Sequence, residues 1–181
     1  MSRPLISAAK PARPAAPEHN LNLMDLHFIQ QNRGWNAEPN APHPSIHRVG
    51  NDILLHFFLN FMMFKTFQED ERGFLRFKAC RRYRLGPTND EGWYLGQCRY
   101  SKKAPNWGEF YELIGRDLDR DSPLDWISIL LGDLTGRHFL FYFRDETFEC
   151  FADDWSLEGA QENALLRLTL PKDTEKQLGV D

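Results

Sequence analysis

The chain has 181 residues, 41% of them hydrophobic and 27% charged, and a formal net charge of −4. That balance suits one globular domain, and 14 Phe and 5 Trp supply ample ring surface for its core. An acidic chain is not expected to coat nucleic acid non-specifically, and its longest apolar run, residues 53–64, is broken by His56 and Asn60 and is too short to cross a bilayer.

Residues 1–20 are rich in Pro and Ala and are expected to form a disordered tail. Arg3, Lys10 and Arg13, with no acid before residue 18, share the charge pattern of a transit peptide, but Pro4, Pro11, Pro14 and Pro17 spoil the amphipathic helix such a peptide needs. Residues 22–32 carry Leu23, Leu26, Phe28 and Ile29 near helical spacing, with Gly34 as a stop, which predicts a short helix. Pro39, Pro42 and Pro44 make residues 37–45 an extended connector and break any helix that would bring His43 and His47 together as metal ligands. Residues 53–66 are read as a bent, Phe-rich strand between turn signals, with His56 in the core and Asn60 as its hydrogen-bond partner.

Residues 74–85 alternate with a period of two. Leu75, Phe77, Ala79, Tyr83 and Leu85 fall on one side, broken only by Arg81; Arg76, Lys78, Arg82 and Arg84 fall on the other with Cys80. This is the pattern of a half-buried strand carrying a row of cations. Residues 86–92 read as a turn and 93–101 as the returning strand, so that Arg84 faces Tyr94, Arg82 faces Gly96, Cys80 faces Cys98 and Lys78 faces Tyr100. Glu109 or Glu112 could pair with the cations.

A strand follows at residues 109–114, then an acidic loop. Asp117, Asp119, Asp121 and Asp125 have calcium-loop spacing, but Ser122 and Ser128 replace the Gly and Glu that shape and close such a loop. Residues 124–131 form a further apolar run. Residues 138–143 and 147–152 form a hairpin with Phe139, Phe141, Phe143, Phe148 and Cys150 on its core face; Leu140, Tyr142, Glu149 and Phe151 make a second face too apolar for open water, which something must cover. Leu166, Leu168 and Leu170 predict a last strand, and residues 173–181 a polar tail.

The expected fold is mainly β: a single antiparallel sandwich or barrel of about seven or eight strands over residues 21–172, up-and-down in its central part. Cys80, Cys98 and Cys150 are odd in number, widely spaced and without a CxxC pair, which suits reduced thiols in a cytoplasmic protein and no zinc site. No cofactor or metal is expected. In the absence of a nucleophile elbow, a phosphate-binding Gly loop or an H-E-x-x-H motif, the chain reads as a non-catalytic binding or protein-interaction domain, with Trp107 and Trp155 beside carboxylates as contact anchors. The partner expected first is a protein, not a membrane; a second copy of the chain is also considered. One alternative is binding of single-stranded RNA on Arg76, Lys78, Arg82, Arg84, Tyr94 and Tyr100. Another is an enzyme or a carrier holding a small apolar ligand in a barrel lined by Phe57, Phe61 and Met63.

Overall fold

In the computed structural model, which describes residues 25–101, 103–130 and 135–158, the period-two alternation builds two antiparallel sheets and not one. The larger runs in the order β1 (His27–Gln30), β6 (Phe110–Ile114), β8 (Arg137–Tyr142), β9 (Glu146–Ala152), β5 (Arg82–Pro87) and β7 (Ile127–Ser128). The smaller runs β10 (Asp154–Glu158), β4 (Arg72–Lys78), β3 (Asp52–Phe58) and β2 (Ser45–Val49). Among the described residues both sheets keep free edges, so the architecture is a two-sheet sandwich and not a closed barrel.

The sheets meet over a core of rings. Ile53, Leu55, Phe57, Leu75 and Phe77 point inward from the smaller sheet; Phe110, Phe139, Phe141, Phe148 and Cys150 point inward from the larger. Trp35 seals the end of this layer against Phe57, Phe110, Phe141 and Trp155. Phe57 therefore lies in packed core, while Met63 is 70% exposed on the β3–β4 connection, so the two do not line one barrel interior.

Four expectations are corrected. The segment read as a helix at residues 22–32 forms β1 where it is described: Leu26 and Phe28 alternate onto one face, and Phe28 is held edge-on by Tyr100 and Tyr111. The strand expected over residues 53–66 ends at Phe58, after which the chain turns. The strand expected over residues 93–101 is instead the helix α1 (Asp90–Tyr94) followed by turns, because Asn89 caps it by accepting the Gly92 N–H and Gly92 falls inside the helix. Of the described part of the apolar run, residues 124–130, Ile127–Ser128 alone forms a strand.

The largest correction concerns residues 74–85. This is two strands in two sheets. At Ala79 the backbone turns left-handed, φ 47°, and its N–H is taken by the Asp52 carboxylate; the Cys80 N–H then bonds to Asn51 O. Arg81, the residue out of phase in the alternation, sits in this connection and pairs with Asp153 at 2.6 Å. The inside–outside assignment holds within each strand, but the outsides are opposite surfaces of the sandwich. Arg76 and Lys78 lie on the outer face of the smaller sheet, Arg82 and Arg84 on that of the larger. The hairpin β8–β9 forms with the expected residues on each face, but its strands pair about Arg144-Asp145 and not about Asp145-Glu146, and its second face is covered by the chain itself: Trp93, Tyr100, Ala104 and Trp107 lie over Tyr111, Leu140 and Tyr142. The last strand expected at residues 166–170 and both tails lie outside the described residues.

His56 does not pair with Asn60, whose side chain instead accepts the Met63 N–H. It stacks on His47 at 4.4 Å and meets Phe74 edge-on, and its Nε2 is buried without a hydrogen-bond partner. Burial, then the charges of His47 and Arg72, lowers its pKa to about 3 from the usual 6.5. The unfolded chain takes up this proton near pH 6.5 and the folded chain resists it down to about pH 3, so stability falls across that window as acid is added. Replacing His56 by Phe is expected to flatten that part of the stability–pH curve, measured by urea unfolding at a series of pH values; an unchanged slope would assign it to other groups.

Candidate functional site

Strand β5 places Arg82 and Arg84 on the outer face of the larger sheet, next to Glu149 of β9. Glu149 is 1% exposed, and its carboxylate gathers three partners: Arg84 Nη1 at 2.8 Å, Arg99 Nη1 at 2.7 Å and His138 Nε2 at 3.1 Å. Burial pushes the Glu149 pKa up, but the hydrogen bond and charge of His138, with Arg99 and Arg84, outweigh it and hold the carboxyl below its usual range. Arg99 continues the network to Asp117 at 2.6 Å, which also accepts the Tyr100 hydroxyl at 2.7 Å. Burial and the neighbouring Glu149 charge raise the Tyr100 phenol well above its usual value, so it stays a hydrogen-bond donor.

The outer ends of the arginines are met by the acidic loop. Asp125 grips Arg84 with both oxygens, at 2.7 and 3.1 Å, and Asp121 binds Arg82 at 2.6 Å. These hydrogen bonds lower both aspartate pKa values. Arg82 also packs over the rings of Trp126, at 4.1 Å, and Phe151, at 4.9 Å. Lys103 pairs with Asp119, so each of the four loop carboxylates suggested by calcium-loop spacing faces a cation of the chain. Among the described residues, no group of three or more His, Cys, Asp or Glu side chains is placed to hold a metal ion.

Above Arg84 and Arg99 lies a wide, largely open groove of about 590 Å³. Thr88, Asn89, Gly92, Gln97 and Cys98 form one wall, and Ser122 and Pro123 form the other. The groove lies where the sheet runs out of strands, since β7 pairs only with Arg82 and Tyr83 and leaves the rest of β5 without a ladder partner on that side among the described residues. Gly86 keeps the floor low: a Cβ there would run into the Arg84 guanidinium and the Asp125 carboxylate. Cys98 faces the groove, but burial raises its thiol above the usual range, away from a reactive thiolate. The floor thus consists of two guanidinium groups fixed by a buried carboxylate, a geometry suited to binding carboxylate or phosphate oxygens.

The six residues expected to form one cationic face do not come together. Arg76 is tied to Asp52 and Glu158 on the far sheet, and Lys78 is exposed there. Arg82 and Arg84 share the near side with Tyr94, which is 72% exposed on α1, and Tyr100, which is buried. The expected acids are not the ones that pair with the row: Glu109 serves Gln30 and Asn32, and Glu112 serves Arg137. Trp107 stacks on Tyr142 and Trp155 packs on Phe110, so neither ring is a free anchor. Cys80 lies beside Cys150 and not Cys98, and both thiols are buried. Arg99 and the acidic loop were missed as parts of the site. The legible signal was Glu149, a lone carboxylate in line with Leu140, Tyr142 and Phe151.

No family model, curated protein or solved structure matches this chain. No helix among the described residues is long and apolar enough to cross a membrane.

Proposed function

We propose that the chain is a non-catalytic binding domain that docks a partner protein on the groove side of its larger sheet, in the cytoplasm. One observation carries this. Of the nine large hydrophobic side chains exposed among the described residues, five (Tyr94, Leu95, Leu118, Leu124 and Ile127) come from the two segments that wall the groove. None of the five lines the groove itself, but exposed apolar side chains on the chain segments beside it offer contact area to a partner protein. The contact role expected of Trp107 and Trp155 passes to these residues. The two buried free thiols, Cys80 and Cys150, suit a reducing compartment.

The test is capture from native lysate by the tagged full chain and by a Leu95→Glu/Leu124→Glu variant, each with and without nuclease. A defined protein that survives nuclease and is lost from the variant, with unchanged circular dichroism, supports the proposal. Equal capture by both chains overturns it. Capture that vanishes with nuclease transfers the site to the single-stranded nucleic-acid alternative, with Tyr94 as its exposed ring.

A further inference from the structure

The acidic loop before β7 is an unusual covering for a cationic floor. Leu118 and Leu124 are 77% and 101% exposed, so neither leucine anchors the loop to the body. Between residues 117 and 125 it is held by charge: Asp117 on Arg99, Asp119 on Lys103, Asp121 on Arg82 and Asp125 on Arg84. Three of these carboxylates, on Asp119, Asp121 and Asp125, are themselves about half exposed to solvent, whereas Arg82, Arg84 and Arg99 are largely covered. The donating guanidinium side is covered and the accepting carboxylate side is largely open to solvent.

Arg84 shows this most clearly. Its Nη1 is fixed to the buried Glu149, so the fork formed by Nε and Nη2 keeps its orientation whatever occupies it. The occupant is a carboxylate bound through both oxygens, on a side chain 45% exposed two residues beyond Pro123 of the groove wall. The Asp125 end of this pair is open to water, and a second carboxylate could take the same fork with the same bidentate geometry.

Resting on the proposed docking role, we infer that the groove recognises an acidic segment of the partner protein, and that Asp125 is an internal stand-in for the partner's carboxylate on Arg84. A partner glutamate or aspartate would take the Arg84 fork, release Asp125 and leave Glu149, Asp117 and Arg99 in place beneath it. Neighbouring apolar residues of the segment would meet Tyr94, Leu95 and Leu124. The chemistry of the fork selects the occupant: Arg84 Nε and Nη2 already hold a carboxylate through both oxygens.

The experiment is fluorescence anisotropy with the fluorescein-labelled peptide Val-Glu-Val-Glu-Val-Glu, its Gln and Lys counterparts, and a labelled oligothymidylate. The full chain is compared with Asp125→Asn, Arg84→Lys and Asp70→Asn; the last makes the same charge change on the exposed β3–β4 connection of the other sheet. The expected result is binding of the Glu peptide alone, tightened about fivefold by Asp125→Asn, unchanged by Asp70→Asn and lost in Arg84→Lys. Absence of binding to all chains, equal tightening by both Asn variants, or tighter binding of the oligothymidylate overturns the inference. If lysate capture stays sensitive to Leu95→Glu/Leu124→Glu while the peptides fail, the docking role stands and only the acidic chemistry of the partner falls.

Discussion

Replacing Glu149 by alanine is expected to lower the unfolding free energy by about 3–5 kcal/mol, the usual cost of removing one partner from a buried ion pair. Its two oxygens hold Arg84, Arg99 and His138 in a space that water does not reach. Without it, Arg84 keeps Asp125 and Arg99 keeps Asp117, but the two guanidinium groups face each other across an emptied position. Glu149→Gln separates charge from shape. It fills the same volume and is expected to fall near the alanine variant, because the missing element is the negative charge. Urea unfolding of the three chains measures this, and a loss below about 1 kcal/mol, as for an exposed pair, would remove Glu149 as the anchor of the site. The pH dependence has a definite sign. The folded pKa lies below the unfolded one, so the contribution is complete above about pH 4.5 and is lost as pH falls through the lowered value. Glu149→Gln should therefore lose part of the acid-side slope of the wild-type curve, in a window that starts below that of His56.

Phe110→Ala is expected to cost about 3–5 kcal/mol by the combined loss of apolar transfer and opening of a cavity. Phe110 is fully buried, and its ring meets Trp35, Phe77, Phe139, Phe141 and Trp155, with centroids between 4.9 and 6.1 Å. Phe77 and Trp155 belong to the smaller sheet, so this one ring joins the two layers. Truncation leaves rigid aromatic neighbours that cannot collapse into the space. Leu124→Ala, at a fully exposed position, should change stability by less than about 0.5 kcal/mol. Thermal or urea unfolding of the pair reads the difference, and similar values for both would show that the core repacks.

The hairpin β8–β9 was legible because its signal is local: Phe139, Phe141 and Phe148 alternate across a short turn and bury on one side. The break between β4 and β5 left a single trace in the sequence, Arg81 out of phase with its apolar neighbours. Alternation reports which way a side chain points relative to its own strand. It is silent on whether two successive strands share a sheet, since that depends on the Ala79 turn and on the distant partners each strand finds. The same limit hid the site. Arg84, Arg99, Asp117, Asp125 and Glu149 belong to four separate stretches of chain, and no spacing rule links them. The returning strand at residues 93–101 failed for a different reason: Asn89 followed by Asp90 and Glu91 is a helix start, and that cap outweighed the aromatic content after it.

The switch of sheets at Ala79 also bears on the order in which the molecule assembles. Strands β2, β3 and β4 find each other through short connections, as do β8 and β9. Strand β5, three residues beyond β4, has no such neighbour: Arg84 meets Glu149 across 65 positions of chain, and Arg99 meets the same carboxylate across 50. The groove floor can be completed only after these long loops have closed, which places this domain among slow folders of high contact order and makes its binding surface a late feature of folding.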